Sequence, residues 1–121
     1  MSVFENIQED EKLHISENFY IIEDQYPVSP GHLLIISKSS KSDYFNLDEN
    51  EKKELTVLID IAKGLIESEH QPNGFNIGMN CGTDAGQTIM HFHCHIIPRY
   101  KGDVDDPTGG VRNVIPGKGI Y

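Results

Sequence analysis

Three histidines recur at a spacing of two in residues 91–97, and one apolar residue separates each from the next. The chain has only six histidines in all, so the pattern is conspicuous. Alternation with a period of two is typical of a β-strand, in which successive side chains point to opposite faces. We therefore predict that His91, His93 and His95 share one face of a strand, at intervals of roughly 6.5–7 Å. The apolar residues between them would point into a core.

Histidines arranged in this way could act on phosphorus. A neutral imidazole is a nucleophile when one ring nitrogen is free and the other donates to a fixed acceptor, and at an ordinary pKa of about 6.5 it is largely neutral at pH 7. Phosphoryl transfer also depends on donors that meet the negative charge of the phosphate. The middle histidine, His93, has a ring on either side, and the turn at residues 86–88 adds an amide, a hydroxyl and backbone N–H groups.

The elements that must position these rings are predicted from the remaining pattern. The β-prone runs 19–22 and 33–36 indicate strands, and the second is apolar on both faces, which is typical of a central buried strand. Residues 74–80 and 88–97 should form two further strands, paired as an antiparallel hairpin. Residues beyond 100 are rich in Gly, Pro and Asp, and we expect them to be ordered only by docking on the body or on a partner chain.

One main helix is predicted from about Asp48 to a point before Pro72. Asp48 and Glu51 have the spacing of a capping box, with Asp in place of Ser or Thr. The apolar stripe that follows at three- and four-residue steps comprises Leu55, Leu58, Ile59, Ala62, Leu65 and Ile66. The prediction is an α+β fold in a single domain, residues 1–121, with about 101–121 as a tail.

Charge and composition exclude several classes of function. The 121 residues carry a formal net charge of −9, which disfavours binding to nucleic acid as a main role. No apolar run approaches the roughly 18 residues of a membrane span, and residues 1–5 show no secretory signal, so we expect a cytoplasmic protein without a membrane partner. Neither Cys81 nor Cys94 needs a disulfide, and we expect Cys94 to be buried.

The pattern in residues 91–97 resembles the motif of the histidine triad family, His-φ-His-φ-His-φ-φ with φ apolar, at every position. Residues 85–88 (Ala-Gly-Gln-Thr) precede it at the family's usual distance, and Asp24, Pro27 and residues 30–33 resemble the family's N-terminal block. The resemblance implies a HIT-like fold, an antiparallel sheet of about five strands with one main helix packed on it. It also implies a homodimer whose sheets join.

The resemblance further implies a role for each matching residue. His93 would be the nucleophile, and it would form a covalent nucleotidyl-histidine intermediate. His95 would contact the phosphate and the leaving oxygen, the backbone carbonyl of His91 would fix the tautomer of His93, and His32 would be a fourth, supporting histidine. The implied substrate-binding residues are the phosphate contacts Gln87 and Thr88, the site-lining Asn80, the ribose-binding Asp24, and the base-pocket residues Phe4, Ile7 and Ile22.

The implied activity is hydrolysis at the α-phosphate of a nucleoside polyphosphate. The third triad position is His95 rather than the glutamine of the hexose-1-phosphate uridylyltransferase branch, which favours hydrolysis over transfer to sugar phosphates. Residues 98–103 and 109–112 look most like the bacterial branch near the dinucleoside polyphosphate hydrolases, and purine nucleoside phosphoramidates are the rival substrate. We expect no cofactor or metal, apart from a divalent cation as a counter-ion of the substrate.

Other interpretations stay open at this point. The three triad histidines could instead be zinc ligands, although the Cys-x-x-Cys zinc knuckle of some family members is absent here. The chain could also be a nucleotide-binding module without turnover, or the rings could simply pack at a sheet surface. Single residues have structural alternatives as well: Asp24 as a turn residue, Asn80 as a hairpin cap, His32 as a core histidine, and His14 and His70 as plain surface residues.

Overall fold

The computed structural model describes residues 2–121, and Met1, where the predicted single domain begins, lies outside the described residues. Five strands form one antiparallel sheet in the order β1-β2-β3-β5-β4. The strands are β1 (Lys12–Ile15), β2 (Phe19–Glu23), β3 (Leu33–Ser37), β4 (Gly74–Gly78) and β5 (His93–Arg99). One helix, α1 (Glu49–Glu67), packs on the sheet, so the predicted α+β fold is confirmed.

The central strand β3 is buried along its whole length, as its continuous apolar run predicts. Its two faces separate two apolar clusters. The larger cluster lies between the sheet and α1, and it contains Phe19, Ile21, Leu33, Ile35, Leu47, Leu55, Leu58, Ala62, Ile66, Phe92, Cys94 and Ile96. The smaller cluster lies on the other face, and it contains Phe4, Tyr20, Ile22, Leu34 and Ile36.

Helix α1 begins where the capping pattern predicts. The Asp48 side chain accepts a hydrogen bond from the backbone N–H of Glu51, and the Glu51 side chain accepts one from the backbone N–H of Asp48, both at 2.8 Å. These bonds satisfy two donors that the first turn of a helix otherwise leaves open. The helix ends at Glu67, earlier than the limit set by Pro72.

The strand that carries the triad begins later than predicted. Its pattern predicted strand from residue 88, whereas β5 begins at His93, so His91 lies before the strand. Two long-range contacts explain the difference, since Phe92 N–H donates to Lys41 O at 2.7 Å and the Gln87 side-chain amide donates to Ser42 O at 2.6 Å. The predicted pairing is correct, because β4 and β5 are antiparallel neighbours.

The tail, residues 101–121, folds back on itself and on the sheet. A short 3-10 helix, Gly110–Val114, lies near the side chain of Asn76 on β4. Gly109 has φ = 88°, and a Cβ there would lie 1.8 Å from the carbonyl oxygen of Gly119, so this close approach requires glycine. Within residues 2–121, no helix is both long and apolar enough to cross a lipid bilayer.

Candidate active site

His93 and His95 lie side by side on the face of β5 that points away from α1. Both are partly exposed, whereas Cys94 and Ile96, which alternate with them, are fully buried in the core beneath the helix. The two imidazole centroids are 5.4 Å apart. The sheet therefore presents two of the three triad rings to one surface, as the period of two predicts.

The ring of His93 is held in one tautomer by the backbone. Its Nδ1 lies 2.8 Å from the carbonyl oxygen of His91. A carbonyl oxygen can only accept a hydrogen bond, so Nδ1 carries the proton and Nε2 keeps its lone pair. This is the state in which an imidazole can attack an electrophile.

The tautomer of His95 follows from a series of hydrogen bonds that runs through His32. The backbone N–H of Val28 donates to His32 Nδ1 at 3.1 Å, so the proton of a neutral His32 ring is on Nε2. That nitrogen lies 2.9 Å from His95 Nδ1 and donates to it. The Nε2–H of His95 is then left as a donor beside the lone pair of His93.

The rings of His95 and His32 are both neutral near pH 7. The pKa of His95 is lowered to about 4, chiefly by burial and also by the neighbouring rings of His32 and His93, while Asp24 opposes the shift. Burial also lowers the pKa of His32, again against the pull of Asp24. Removal from water disfavours the charged form of an imidazole, so the chain of neutral donors and acceptors persists at physiological pH.

Asp24 lies beside this pair of rings. Its Oδ2 is 3.4 Å from His32 Nε2 and 3.9 Å from His95 Nδ1, and its Oδ1 accepts the backbone N–H of Tyr26 at 2.8 Å. The side chain is 15% exposed, so part of it remains accessible to solvent. The structure thus brings the predicted ribose-binding carboxylate next to two of the predicted site histidines, and the bond to Tyr26 is also that of a turn residue.

The first triad histidine differs from the other two. His91 is buried, 1% exposed, and its ring is bonded at both nitrogens, to Ser2 Oγ and to the carbonyl oxygen of Ser37. The prediction that all three rings lie along one strand is therefore wrong for His91. Its ring is committed to the protein interior, because the strand begins only at His93.

The structure separates the predicted phosphate contacts. Gln87 is buried, and its side-chain amide bonds Gly82 N, Ser42 O and Ile89 O, so it shapes the loop before the triad instead of facing the cleft. The predicted phosphate contact through Gln87 is therefore wrong. Thr88 is exposed and lines a different pocket, next to His91, so the structure does not bring it to His95.

Asn80, in contrast, lines a cleft of about 690 Å³ together with His95 and His32. One wall of this cleft is the edge strand β4, and the other is the 3-10 helix of the tail. The predicted base-pocket residues also lie together. Phe4 and Ile22 belong to the smaller apolar cluster, Ile7 packs against it, and the Phe4 ring contacts that of His93 edge-on, with centroids 5.0 Å apart.

Comparison with known proteins identifies the family of this chain. Residues 5–102 match the HIT domain family. The chain belongs to the HIT family.

Two curated relatives of this HIT domain carry names of nucleotide-acting enzymes. The AP-4-A phosphorylase of Mycobacterium tuberculosis (strain H37Rv) is 37% identical over 100 residues, which are 80% of this chain and 51% of that protein. The asymmetrical bis(5'-nucleosyl)-tetraphosphatase of Schizosaccharomyces pombe is 36% identical over 80 residues, 66% of this chain and 44% of that protein. The chain thus spans about half the length of these relatives.

A solved structure supports the same fold. A hypothetical histidine triad nucleotide-binding protein from Sulfolobus tokodaii is 36% identical, with a TM-score of 0.72 over 79% of this chain and 64% of that one. The predicted HIT-like fold is therefore confirmed by likeness to a solved structure as well as by the strand order.

In the part of the chain that the structure describes, two sets of side chains are candidate metal ligands, the triad and a group of Asp24, His32 and His95. The triad itself cannot converge on an ion, because both nitrogens of His91 and the Nδ1 of His93 are bonded to protein groups. The ligand atoms of Asp24, His32 and His95 do lie within 4.8 Å of one another. However, the bond from Val28 N–H to His32 Nδ1 puts the ring proton on Nε2, the nitrogen that would have to bind the metal.

Sequence reasoning missed three groups that hold the histidines. They are the hydroxyl of Ser2, the carbonyl of Ser37 and the backbone N–H of Val28. The last two are backbone groups, which no side-chain pattern can reveal. Ser2 is 89 positions from its partner His91 in the chain, and a lone serine near the start of a sequence carries no distinctive signal.

Proposed function

We propose that this HIT domain is a nucleotide hydrolase that cleaves nucleoside polyphosphates, with diadenosine polyphosphates as the substrate class, at the α-phosphate. The observation that carries the proposal is the state of His93. Its Nδ1 is tied to the carbonyl oxygen of His91 at 2.8 Å, and its Nε2 is unprotonated beside the donor on His95. The names of the two curated relatives support the substrate class.

In the first step, His93 Nε2 attacks the α-phosphorus. A P–N bond forms, the bond between the α-phosphorus and its bridging oxygen breaks, and the polyphosphate leaves with that oxygen. The ring of His93 becomes positively charged as it gains the phosphorus, and the carbonyl of His91 stabilises this charge through Nδ1–H. The Nε2–H of His95 is placed to donate to the phosphate or the departing oxygen.

In the second step, water attacks the nucleotidyl-histidine. A new P–O bond forms, the P–N bond breaks, and the mononucleotide leaves with one oxygen from water. His93 thereby returns to its neutral form with Nε2 free. The intermediate divides one difficult displacement into two easier ones, which is the general advantage of a covalent nucleophile.

The surroundings of His93 support a placement for the nucleotide. The apolar cluster around Phe4 and Ile22 adjoins the His93 ring, so we place the base there, with Ile7 at its side. Asp24 would accept from the ribose hydroxyls, and Asn80 would face the phosphates from across the cleft. Because the chain carries a net charge of −9, a divalent cation on the polyphosphate would reduce repulsion without being bound by protein ligands.

We also propose a homodimer in which the sheets of two copies join. The sheet ends in β1 on one side and β4 on the other, and each of these strands pairs with one described strand. An outer strand has backbone donors and acceptors that a second copy could satisfy.

The test is product identification with diadenosine tetraphosphate as the substrate, in buffers with and without inorganic phosphate. Hydrolysis at an α-phosphate predicts AMP and ATP in both buffers. Release of unchanged substrate after tight binding would instead indicate a binding module without turnover. A faster reaction on an adenosine phosphoramidate than on any polyphosphate would favour the rival substrate class.

Phosphorolysis is a second candidate, because a relative that is 37% identical is named AP-4-A phosphorylase. In that reaction phosphate, not water, would attack the nucleotidyl-histidine, so the products would be ADP and ATP. The same assay separates the two reactions, since ADP would form only in the buffer that contains phosphate. His93→Ala, which removes the nucleophile, is the control for both reactions.

A further inference from the structure

The buried ring of His91 is held at both ends. His91 Nε2 lies 2.7 Å from the carbonyl oxygen of Ser37, which can only accept, so Nε2 carries the ring proton. The Nδ1 of a neutral ring is then an acceptor, and it lies 2.7 Å from the hydroxyl of Ser2. With 1% of the residue exposed, Ser2 is the donor on which this nitrogen depends.

The direction of the Ser2 hydroxyl is fixed as well. The backbone N–H of Phe4 donates to Ser2 Oγ at 3.2 Å, as in the cap of a short 3-10 helix, Val3–Asn6. This bond occupies an acceptor site of the oxygen and leaves its proton for His91 Nδ1. Donors and acceptors therefore run in one direction, from Phe4 through Ser2 and His91 to Ser37.

The residue in the middle of this hydrogen-bond series also holds the nucleophile of the proposed reaction. The same His91 residue supplies the carbonyl oxygen that accepts from His93 Nδ1 at 2.8 Å. His91 lies in a bend before β5, so it lacks the sheet ladder that fixes His93 itself. The ring of Phe4 meets the rings of both histidines edge-on, with centroids 5.6 and 5.0 Å away.

We propose that Ser2 is a positioning residue for the proposed active site. Its hydroxyl holds His91 in one tautomer and one orientation, and the carbonyl of His91 in turn keeps the proton of the neutral His93 ring on Nδ1, which leaves Nε2 unprotonated. The kinetic consequence rests on the proposed hydrolase function, whereas the state of the His91 ring does not. The hydroxyl of Ser2 bonds His91 and Phe4, so it acts on His93 only through His91.

The kinetic test compares Ser2→Ala with Ser2→Thr and Ser2→Asp. Ser2→Ala should lower kcat by about tenfold to a hundredfold with little change in KM, because a nucleophile displaced by a fraction of an ångström reacts slowly without losing the substrate. Threonine retains the hydroxyl and should restore most of the rate. Aspartate can still cap Phe4 N–H but has no proton to donate, so it should not restore the rate.

The matched control is Ser40→Ala. The Ser40 hydroxyl also ties the N-terminal segment to the body, through Glu5 at 2.6 Å, but it does not contact His91. Ser40→Ala should leave kcat near that of the wild-type protein. Unchanged kcat in Ser2→Ala, a loss matched by Ser40→Ala, or full recovery with aspartate would each overturn the proposal.

A measurement on the ring separates this inference from the proposed function. Imidazole ¹⁵N NMR of the wild-type protein should show His91 with its proton on Nε2, in slow exchange with solvent. Ser2→Ala should speed this exchange and broaden the His93 ring signals, while Ser2→Thr should not. Identical ring spectra in wild type and Ser2→Ala would contradict the role of Ser2, even in an active enzyme. An inactive wild-type protein with the expected ring spectra would contradict only the proposed function.

Discussion

The two faces of strand β5 have opposite characters although their residues alternate along one backbone. On the helix side, Cys94 and Ile96 are fully buried, and burial raises the pKa of the Cys94 thiol to about 12, so it stays protonated and inert. On the other side, His93 and His95 are partly exposed, and each ring has its Nδ1 bonded to a protein group and its Nε2 free of such a bond. The same period of two therefore supplies an anchor on one face and reactive groups on the other.

The comparison shows how packing, more than residue type, decides which nucleophile can react. A thiol is intrinsically a good nucleophile, but only as the thiolate. Cys94 lies in the apolar cluster between the sheet and α1, where burial disfavours ionisation of the thiol. His93 needs no ionisation, because a backbone carbonyl sets its tautomer. The helix side should therefore control stability, and the cleft side should control turnover.

The largest effect is expected at His93. His93→Ala should lower turnover of diadenosine tetraphosphate by at least about a thousandfold, since the nucleophile itself is lost. Nucleotide binding should remain measurable by calorimetry, because it rests on other residues. Cys94→Ala, one position along on the helix side, is the matched control and should retain turnover. Equal losses in both variants would mean that the two faces do not differ as described.

The next effect tests the helix side of β5. Ile96→Ala should lower the free energy of unfolding by about 2–5 kcal/mol, because it removes a fully buried aliphatic group from the cluster beneath α1. Urea denaturation measures this change. At urea concentrations well below the unfolding midpoint of the variant, KM should remain close to the wild-type value. A specific loss of activity in a variant of unchanged stability would contradict the division between the faces.

A smaller, selective effect is expected at the rim of the cleft. Asp24→Asn should weaken use of ribonucleotides by about tenfold to a hundredfold, since a hydrogen bond to a charged group contributes about 1.5–3 kcal/mol. Rates with ribo- and 2′-deoxyribonucleotide substrates give the comparison. If both substrates lose activity equally, Asp24 acts through the adjacent His32 and His95 and not on the ribose.

The last effect concerns acid stability. The folded-state pKa of His95, about 4, lies below its ordinary value of 6.5, so between these values the unfolded chain binds a proton that the folded chain does not. Stability should therefore fall as pH drops from 6.5 towards 4, by up to about 1.4 kcal/mol per pH unit for this group. Thermal unfolding at several pH values measures the slope, and His95→Asn should reduce it. A slope that His95→Asn leaves unchanged would assign the effect to other groups.

The sequence predicts those parts of this molecule that depend on local pattern. The continuous apolar run at β3, the capping box of α1 and the alternation of His93 to Ile96 all specify their elements from neighbouring residues. The start of β5 could not be predicted, because Phe92 N–H bonds Lys41 O and Gln87 holds a loop, and both contacts cross long stretches of chain.

The site shows the same limit. Spacing identified His93 and His95, but the protonation of each ring is set by the backbone groups of His91 and Val28, which the residue types do not encode. Gln87 was assigned to the substrate from its position before the triad, although its amide is consumed by the loop. Residue type indicated the chemistry, and only the fold showed which polar groups remain available for it.

The central claim is that His93 forms a covalent bond to the α-phosphorus, and rapid quenching tests it most directly. Wild-type protein mixed with α-³²P-labelled diadenosine tetraphosphate and quenched in base within milliseconds should carry label that is stable to base and labile to acid, as a phosphoramidate is. His93→Ala should carry none, and Cys94→Ala should carry as much as wild type. In water enriched in ¹⁸O, the heavy oxygen should appear in AMP. Labelled oxygen found only in the released polyphosphate, with no trapped adduct at any time, would contradict the mechanism and would leave His93 as a general base.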